Sequence, residues 1–115
     1  MSAPVVHFEI NGKDGTALQS FYSDLFEWKL NVMPQFNYAL VENKAAGAGG
    51  IDGGIGESDQ GSSVRIFVQV PDLQTSVDKA VQLGATVAMP PTDMGMVQIA
   101  MFFDPQGNCI GLVKG

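Results

Sequence analysis

His7 and Glu9 stand two residues apart near the start of the chain, and Arg65 and Gln69 stand four apart in its second half. On extended segments both members of each pair point to one side, because side chains alternate between the faces of a strand. An imidazole, a carboxylate, a guanidinium and an amide gathered in an otherwise apolar cup would form a small-molecule site. The imidazole could serve as a polar anchor, a general base or a metal ligand, and the guanidinium as a fork for a carboxylate or phosphate. Plainer readings stand beside these. His7 also reads as a strand histidine making a structural hydrogen bond. Arg65 also reads as the ion-pair partner of Glu9, since a guanidinium on an inner face is costly to bury alone.

A second set of candidates is apolar. Six methionines, with Phe36, Tyr38, Phe67 and Phe103, offer adaptable surface for an aromatic ligand. Met89, Met94, Met96 and Met101 fall around one predicted hairpin, and plain core packing is the competing reading for each. Met94-Gly95-Met96 follows Asp93 in a segment with no periodic reason for burial, so it is expected to form a rim or lid. Cys109 has no basic neighbour or helix start to activate it and reads as packing. These residues give an expected ligand-binding set of His7, Glu9, Arg65, Phe67, Gln69, Met94, Met96, Met101 and Phe103, with His7 the one catalytic candidate.

The elements that must position these groups follow from periodicity. Val5 to Ile10 alternates, with Val6, Phe8 and Ile10 on one face and His7 and Glu9 on the other. Leu18, Phe21, Tyr22 and Leu25 recur at helical spacing and predict an amphipathic helix laid on the apolar face. Short strands are expected over Trp28 to Val32 and Phe36 to Val41, with a glycine-rich strand within Ala48 to Ile55, a place where another backbone or a ligand approaches closely. The second half repeats the order. Val64 to Val70 predicts a strand; Asp72 caps a helix whose stripe is Leu73, Val77, Ala80 and Val81; Gly84 ends it. Strands at Ala85 to Met89, Val97 to Phe103 and Cys109 to Val113 are separated by turns at Pro90-Pro91-Thr92-Asp93 and Asp104 to Asn108. Laying Val6 on Val64 puts Phe8 on Ile66, Ile10 on Val68 and Leu25 on Leu83. The order strand, helix and three strands thus occurs twice: residues 4–56, a polar linker at 57–63, and residues 64–115. The expected class is α+β, two tandem βαβββ modules in a single domain with a cup-shaped mixed sheet.

Composition narrows the partners. A chain of 115 residues, 45% hydrophobic and 16% charged, can bury roughly two-thirds of its unfolded surface and form an ordered core. Six basic against twelve acidic residues give a net charge of -6, which repels nucleic acid and anionic membranes. One cysteine excludes an internal disulfide and any multi-thiolate zinc site. No apolar run reaches the ~18 residues of a membrane span, and no secretion signal is evident, so a cytoplasmic location is expected.

Phe21-Tyr22-Ser23-Asp24-Leu25-Phe26-Glu27-Trp28 resembles the FYxxLFGW helix end of glyoxalase-related proteins. Val68-Gln69-Val70-Pro71-Asp72-Leu73 resembles their second-module V-x-D strand end, and Pro90 to Asp93 followed by Phe103-Asp104-Pro105-Gln106-Gly107-Asn108 resembles their closing segment. On these residues the chain is similar to the vicinal-oxygen-chelate superfamily of glyoxalases, bleomycin-resistance proteins and dioxygenases. The resemblance implies paired βαβββ modules, commonly in a homodimer, around a small-molecule cleft. In metal-dependent members it also implies a divalent ion held from the first and fourth strands of each module. His7 occupies the first such position. Arg65, which cannot ligate a metal, takes the equivalent place in the second module, and Gly111 falls where the final glutamate of DPxGNxxE is expected. In the first module's fourth strand the candidate lies among Gly50, Ile51 and Asp52, of which only Asp52 could bind a cation. His7, Asp52 and Glu9 are thus the most that remains of a four-ligand set, and no metal or other cofactor is expected. The leading expectation is a metal-independent protein binding an apolar or aromatic ligand between its modules. The alternatives are a lyase, isomerase or extradiol-type dioxygenase using a divalent metal or His7 as base, and a dimeric scaffold with a vestigial cup.

Overall fold

The computed structural model describes residues 2–115. Among them the chain forms, in order, strand β1 (Val5–Gly12), helix α1 (Gly15–Phe26), β2 (Leu30–Met33), a 3-10 turn (Pro34–Phe36), β3 (Tyr38–Val41), β4 (Asp52–Glu57), β5 (Ser63–Val70), helix α2 (Leu73–Gln82), β6 (Thr86–Asp93), β7 (Gln98–Phe103) and β8 (Cys109–Lys114). This is βαβββ twice over. The backbone divides into one unit of His7–Val64 and another comprising Arg65–Gly115 with residues 2–6. They are called here the N-terminal and C-terminal modules.

Both halves share one topology. β1 runs parallel to β4, which is antiparallel to β3, itself antiparallel to β2. Likewise β5 runs parallel to β8, β8 is antiparallel to β7, and β7 to β6. In-register partners face the same way, so the pairing sorts every side chain to a face. On the helix-covered face of the N-terminal module lie Phe8 and Ile10 with Ala39, Val41 and Ile55, the last three fully buried. In the C-terminal module Val70, Leu73, Val77, Ala100 and Leu112 form the core beneath α2, with Val68 and Phe102 packed against it.

Asp72 begins α2 as expected, and Asp14 begins α1 in the same way. Asp72 accepts the Thr75 N–H at 2.9 Å, and Asp14 accepts that of Ala17 at 3.0 Å, each satisfying a donor that the first helical turn leaves unpaired. The rotation of α1 differs from the predicted stripe. Leu18 and Tyr22 are half-buried, but Phe21 and Leu25 are 55% and 56% exposed, while Gly15 and Gln19 are buried. Two contacts turn the helix this way. A Cβ on Gly15 would meet the Glu57 Cβ at 3.0 Å, so this turn approaches β4 more closely than a larger residue permits, and Gln19 donates its amide to the Ile55 carbonyl at 3.2 Å.

The FYxxLFGW resemblance has a packing basis. Trp28 lies 5.3 Å from Phe8, 5.6 Å from Tyr22 and 5.1 Å from Phe26 between ring centroids, so the helix end is fastened to β1 by aromatic contact. Glu27 replaces the glycine of that motif and takes φ 56°, the left-handed conformation of a helix C-terminal cap.

Two further differences concern strand ends. The proline pair expected to form a turn lies inside β6, which continues to Asp93 with register shifts between Val87, Met89 and Thr92. Prolines lack an N–H and are tolerated on a bulged strand at the outer position of its half-sheet. The reversal comes at Met94 to Val97, closed by the Met94 N–H on the Val97 carbonyl at 2.8 Å. The glycine-rich strand begins at Asp52 and runs to Glu57, and β5 begins at Ser63, so the connection is shorter than the 57–63 expected.

Glu27→Gly should raise stability by up to about 1 kcal/mol in chemical denaturation, because glycine enters the left-handed region without a Cβ clash. Gly111→Ala should lower it by about 1–3 kcal/mol. A Cβ there runs into the ring of Phe67, which is 5% exposed and has no room to withdraw.

Candidate functional site

β1 turns His7, Glu9 and Asn11 to the face opposite α1, and β4 turns Asp52, Gly54 and Gly56 to the same face. β3 adds Tyr38 and Leu40, since Tyr38 pairs with Gly56 and Leu40 with Gly54, and β2 adds Met33 opposite Tyr38. The polar members join into one network. The Tyr38 hydroxyl donates to Glu9 Oε2 at 3.3 Å and lies 3.2 Å from His7 Nε2, while Asn11 donates to Glu9 Oε1 at 3.0 Å. The direction of the His7–Tyr38 contact follows the imidazole tautomer. Burial lowers the His7 pKa from its ordinary 6.5, and the nearby charges of Glu9 and Asp52 oppose that shift. Burial thus favours the neutral form of the imidazole over the charged one.

The glycines explain why Tyr38 can stand where it does. A Cβ on Gly54 would fall on the Tyr38 hydroxyl, and one on Gly56 would meet the same ring at 2.9 Å. The hydroxyl thus occupies the space in which a side chain at position 54 would begin. On the other face Phe8 covers Gly53 in the same way. The groups that approach this segment closely are aromatic rings from the neighbouring strands and not another backbone.

The C-terminal module carries a matching arrangement with different chemistry. Arg65, Phe67 and Gln69 on β5 share a face with Cys109, Gly111 and Val113 on β8, and with Ile99, Met101 and Phe103 on β7. Five of the predicted ligand-binding residues, Arg65, Phe67, Gln69, Met101 and Phe103, are thus brought to one sheet face. Phe67 is buried over Gly111, Arg65, Gln69 and Met101 are half-buried, and Phe103 is 42% exposed. Met94 and Met96 stand apart in the β6–β7 reversal, 54% and 77% exposed. They adjoin an open recess of about 400 Å³ lined by Met96, Val97, Gln98 and Lys114 among others, which includes none of the five.

The strand registers settle which positions correspond. Glu9 pairs with Gly54 as Phe67 pairs with Gly111, so the N-terminal counterpart of Gly111 is Gly54 and not Asp52. Asp52 pairs with His7 but directs a carboxylate oxygen to the Lys44 N–H at 2.9 Å. His7 and Arg65 on the first strands, and Gly54 and Gly111 on the fourth, therefore hold the four ligand positions implied by the resemblance. This set does not fit a divalent ion: one imidazole is its only donor, and the missing side chains are replaced by rings. Among the described residues no three His, Cys, Asp or Glu side chains group as a metal site. Sequence reasoning placed Tyr38 only among the general apolar surface. The one signal that could have singled it out was the run of small residues opposite it in β4.

The sequence profile of the glyoxalase-like domain matches residues 7–113. The chain belongs to that family. Solved structures agree on the fold. A Vibrio splendidus member of the glyoxalase/bleomycin resistance protein/dioxygenase superfamily is 16% identical over 99% of this chain and 100% of its own, with a TM-score of 0.67. A Streptomyces coelicolor methylmalonyl-CoA epimerase in complex with 2-nitronate-propionyl-CoA is 17% identical over 96% of each chain, with a TM-score of 0.67. A Legionella pneumophila protein titled an NAD-dependent benzaldehyde dehydrogenase reaches 0.69 at 15% identity, over 94% of this chain and 96% of its own. No curated protein matches. At these identities the likeness shows the fold, and the α+β, twice-repeated βαβββ chain is a glyoxalase-like member of the vicinal-oxygen-chelate superfamily. Among the described residues no helix is long and apolar enough to cross a membrane.

The neutral state of His7 has a measurable sign. With its folded pKa below the unfolded value, the unfolded chain binds the proton more readily, so stability is lost as pH falls from about 6.5 toward the folded pKa. His7 is the chain's single histidine, so its imidazole NMR signal should titrate with a midpoint below 6.5. In His7→Gln, denaturation curves between pH 7 and 5 should lose this part of their pH dependence.

Proposed function

We propose that this protein binds an apolar or aromatic small molecule bearing a polar group, without the divalent ion used by metal-dependent members of its superfamily. The ligand lies on the sheet face that carries His7, Tyr38 and Glu9. The observation that carries the reading is glycine at both fourth-strand positions, with an aromatic ring standing over each. A ligand set reduced to one imidazole competes poorly with water and cellular chelators for a metal. What the face offers in its place is a hydrogen-bonding cluster beside Met33 and Leu40, a few convergent polar groups against apolar surface. The overall charge of -6 favours neutral or cationic ligands over anionic ones.

Two measurements test this. Elemental analysis of protein purified without chelator, then exposed to zinc, nickel, manganese and iron, should show far less than one equivalent of each. Screening an aromatic compound library in excess EDTA should reveal compounds that raise the melting temperature, because a ligand that binds only the native state stabilises it. A stoichiometric metal that disappears in His7→Ala, or thermal shifts abolished by EDTA, would overturn the reading.

A further inference from the structure

We infer that the outer edge of β2 pairs with the same edge of a second copy of this chain, joining two N-terminal modules into one continuous antiparallel sheet with its two-fold axis through Asn31. The inference goes beyond the ligand reading above and does not rest on it. β2 lies at the outer position of its half-sheet, with β3 on its other side. The Lys29 carbonyl accepts the Glu42 N–H at 2.9 Å, which makes Lys29 and Glu42 a hydrogen-bonded pair. Such pairs alternate with non-bonded ones along an antiparallel ladder. Asn31 and Met33 therefore bond to Leu40 and Tyr38, while Leu30 and Val32, opposite Val41 and Ala39, turn their N–H and C=O groups away from β3. The run is bounded on both sides. The Trp28 carbonyl accepts the Ser23 hydroxyl at 3.3 Å, and Pro34 has no N–H. β2 thus offers two donors and two acceptors along its outer edge.

A second copy matches that set. With Asn31 facing Asn31 across the axis, Leu30 of each chain meets Val32 of the other in a hydrogen-bonded pair, so four bonds satisfy both edges. The side chains agree with this register. Val32, 52% exposed, gains the partner's Leu30 as a cross-strand neighbour on the helix side of the sheet. On the open side the two exposed Asn31 amides come directly opposite, each with a donor and an acceptor for the other. Charge permits the approach. The chain carries -6 overall, yet residues 28–41 hold no acid and one base, Lys29, so two copies meet where their acids are not. The outer strand of the C-terminal module lacks this capacity: β6 carries Pro90 and Pro91 and shifts register twice, features that keep an edge strand from pairing. A four-residue edge makes a small contact, so the association is reversible and rises with concentration. It also makes the open faces of the two N-terminal modules one surface, with Lys29 of the partner subunit opposite Met33.

Sedimentation velocity of the full chain from about 10 μM to about 1 mM, the range of weak contacts of this size, should show the mass rise from 12.2 kDa toward twice that value. Asn31→Asp and Asn31→Lys each set two like charges face to face, and each should weaken association at least about tenfold. An equimolar mixture of the two variants should associate at least as tightly as wild type, because opposite charges then meet at the axis. Only a two-fold through position 31 produces that rescue. Val32→Pro removes an outward N–H without touching the ladder to β3, so it should be monomeric with an unchanged circular dichroism spectrum. In hydrogen exchange of wild type, the Leu30 and Val32 amides should slow as concentration rises, while those of Asn31 and Met33 stay constant. A chain monomeric at every concentration, with Leu30 and Val32 amides that exchange alike throughout, overturns the inference and leaves the edge to a strand of another protein. A dimer that survives both charged variants, or a mixture that fails to associate, assigns the contact to another surface and overturns it equally. Should Val32→Pro not fold, the charged pair, which leaves the backbone intact, decides alone.

Discussion

Phe8 and Tyr38 press on β4 from opposite faces, and Phe67 presses on β8, each ring filling the space a neighbouring glycine leaves bare. Most of what distinguishes this chain depends on that contact. Glycine within a strand forfeits side-chain packing, and here the loss is offset by aromatic area drawn in from adjacent strands. The same contact sets the chemistry. In the N-terminal module the covering ring ends in a hydroxyl and meets His7 and Glu9; in the C-terminal module the ring has no polar end. Two modules of one topology therefore present different surfaces at corresponding positions.

Legibility in the sequence followed the range of the interactions involved. The alternation in β1 and β5, the capping Asp72 and the Asp104-to-Asn108 turn were readable because their determinants are local. In that turn Asp104 accepts the backbone N–H groups of Gln106 and Asn108, each at 2.9 Å, and the Asn108 side chain at 2.8 Å. These bonds, the Asn108 side chain's foremost, hold its carboxyl below the usual range. Such a loop is specified by its own residues. The rotation of α1 was not readable, since it depends on Gly15 meeting Glu57 and Gln19 reaching Ile55, contacts far apart in sequence. β4 carries almost no hydropathy signal, so its register, and with it the correspondence of Gly54 to Gly111, waited on the pairing. Tyr38 was hidden for the same reason: its importance lies in what stands across from it.

Family and chemistry are separable here. The glyoxalase-like profile spans residues 7–113, and the Vibrio and Streptomyces structures share the architecture at 16% and 17% identity. A fold shared at that distance specifies strand order and the placing of helices, while the reaction resides in a few side chains. At three of the four positions where the resemblance implies a ligand stand Arg65, Gly54 and Gly111, and an aromatic ring lies over each of the two glycines.

The ring-over-glycine arrangement also bears on how such a chain could change over evolutionary time. A carboxylate acquired at position 54 or 111 collides with a ring already in place, and loss of the ring alone leaves a strand backbone uncovered. Each substitution made alone destabilises the sheet, and the two made together restore its packing. A carboxylate at either position is therefore coupled to the ring that faces it, and the two residues must be exchanged as a pair.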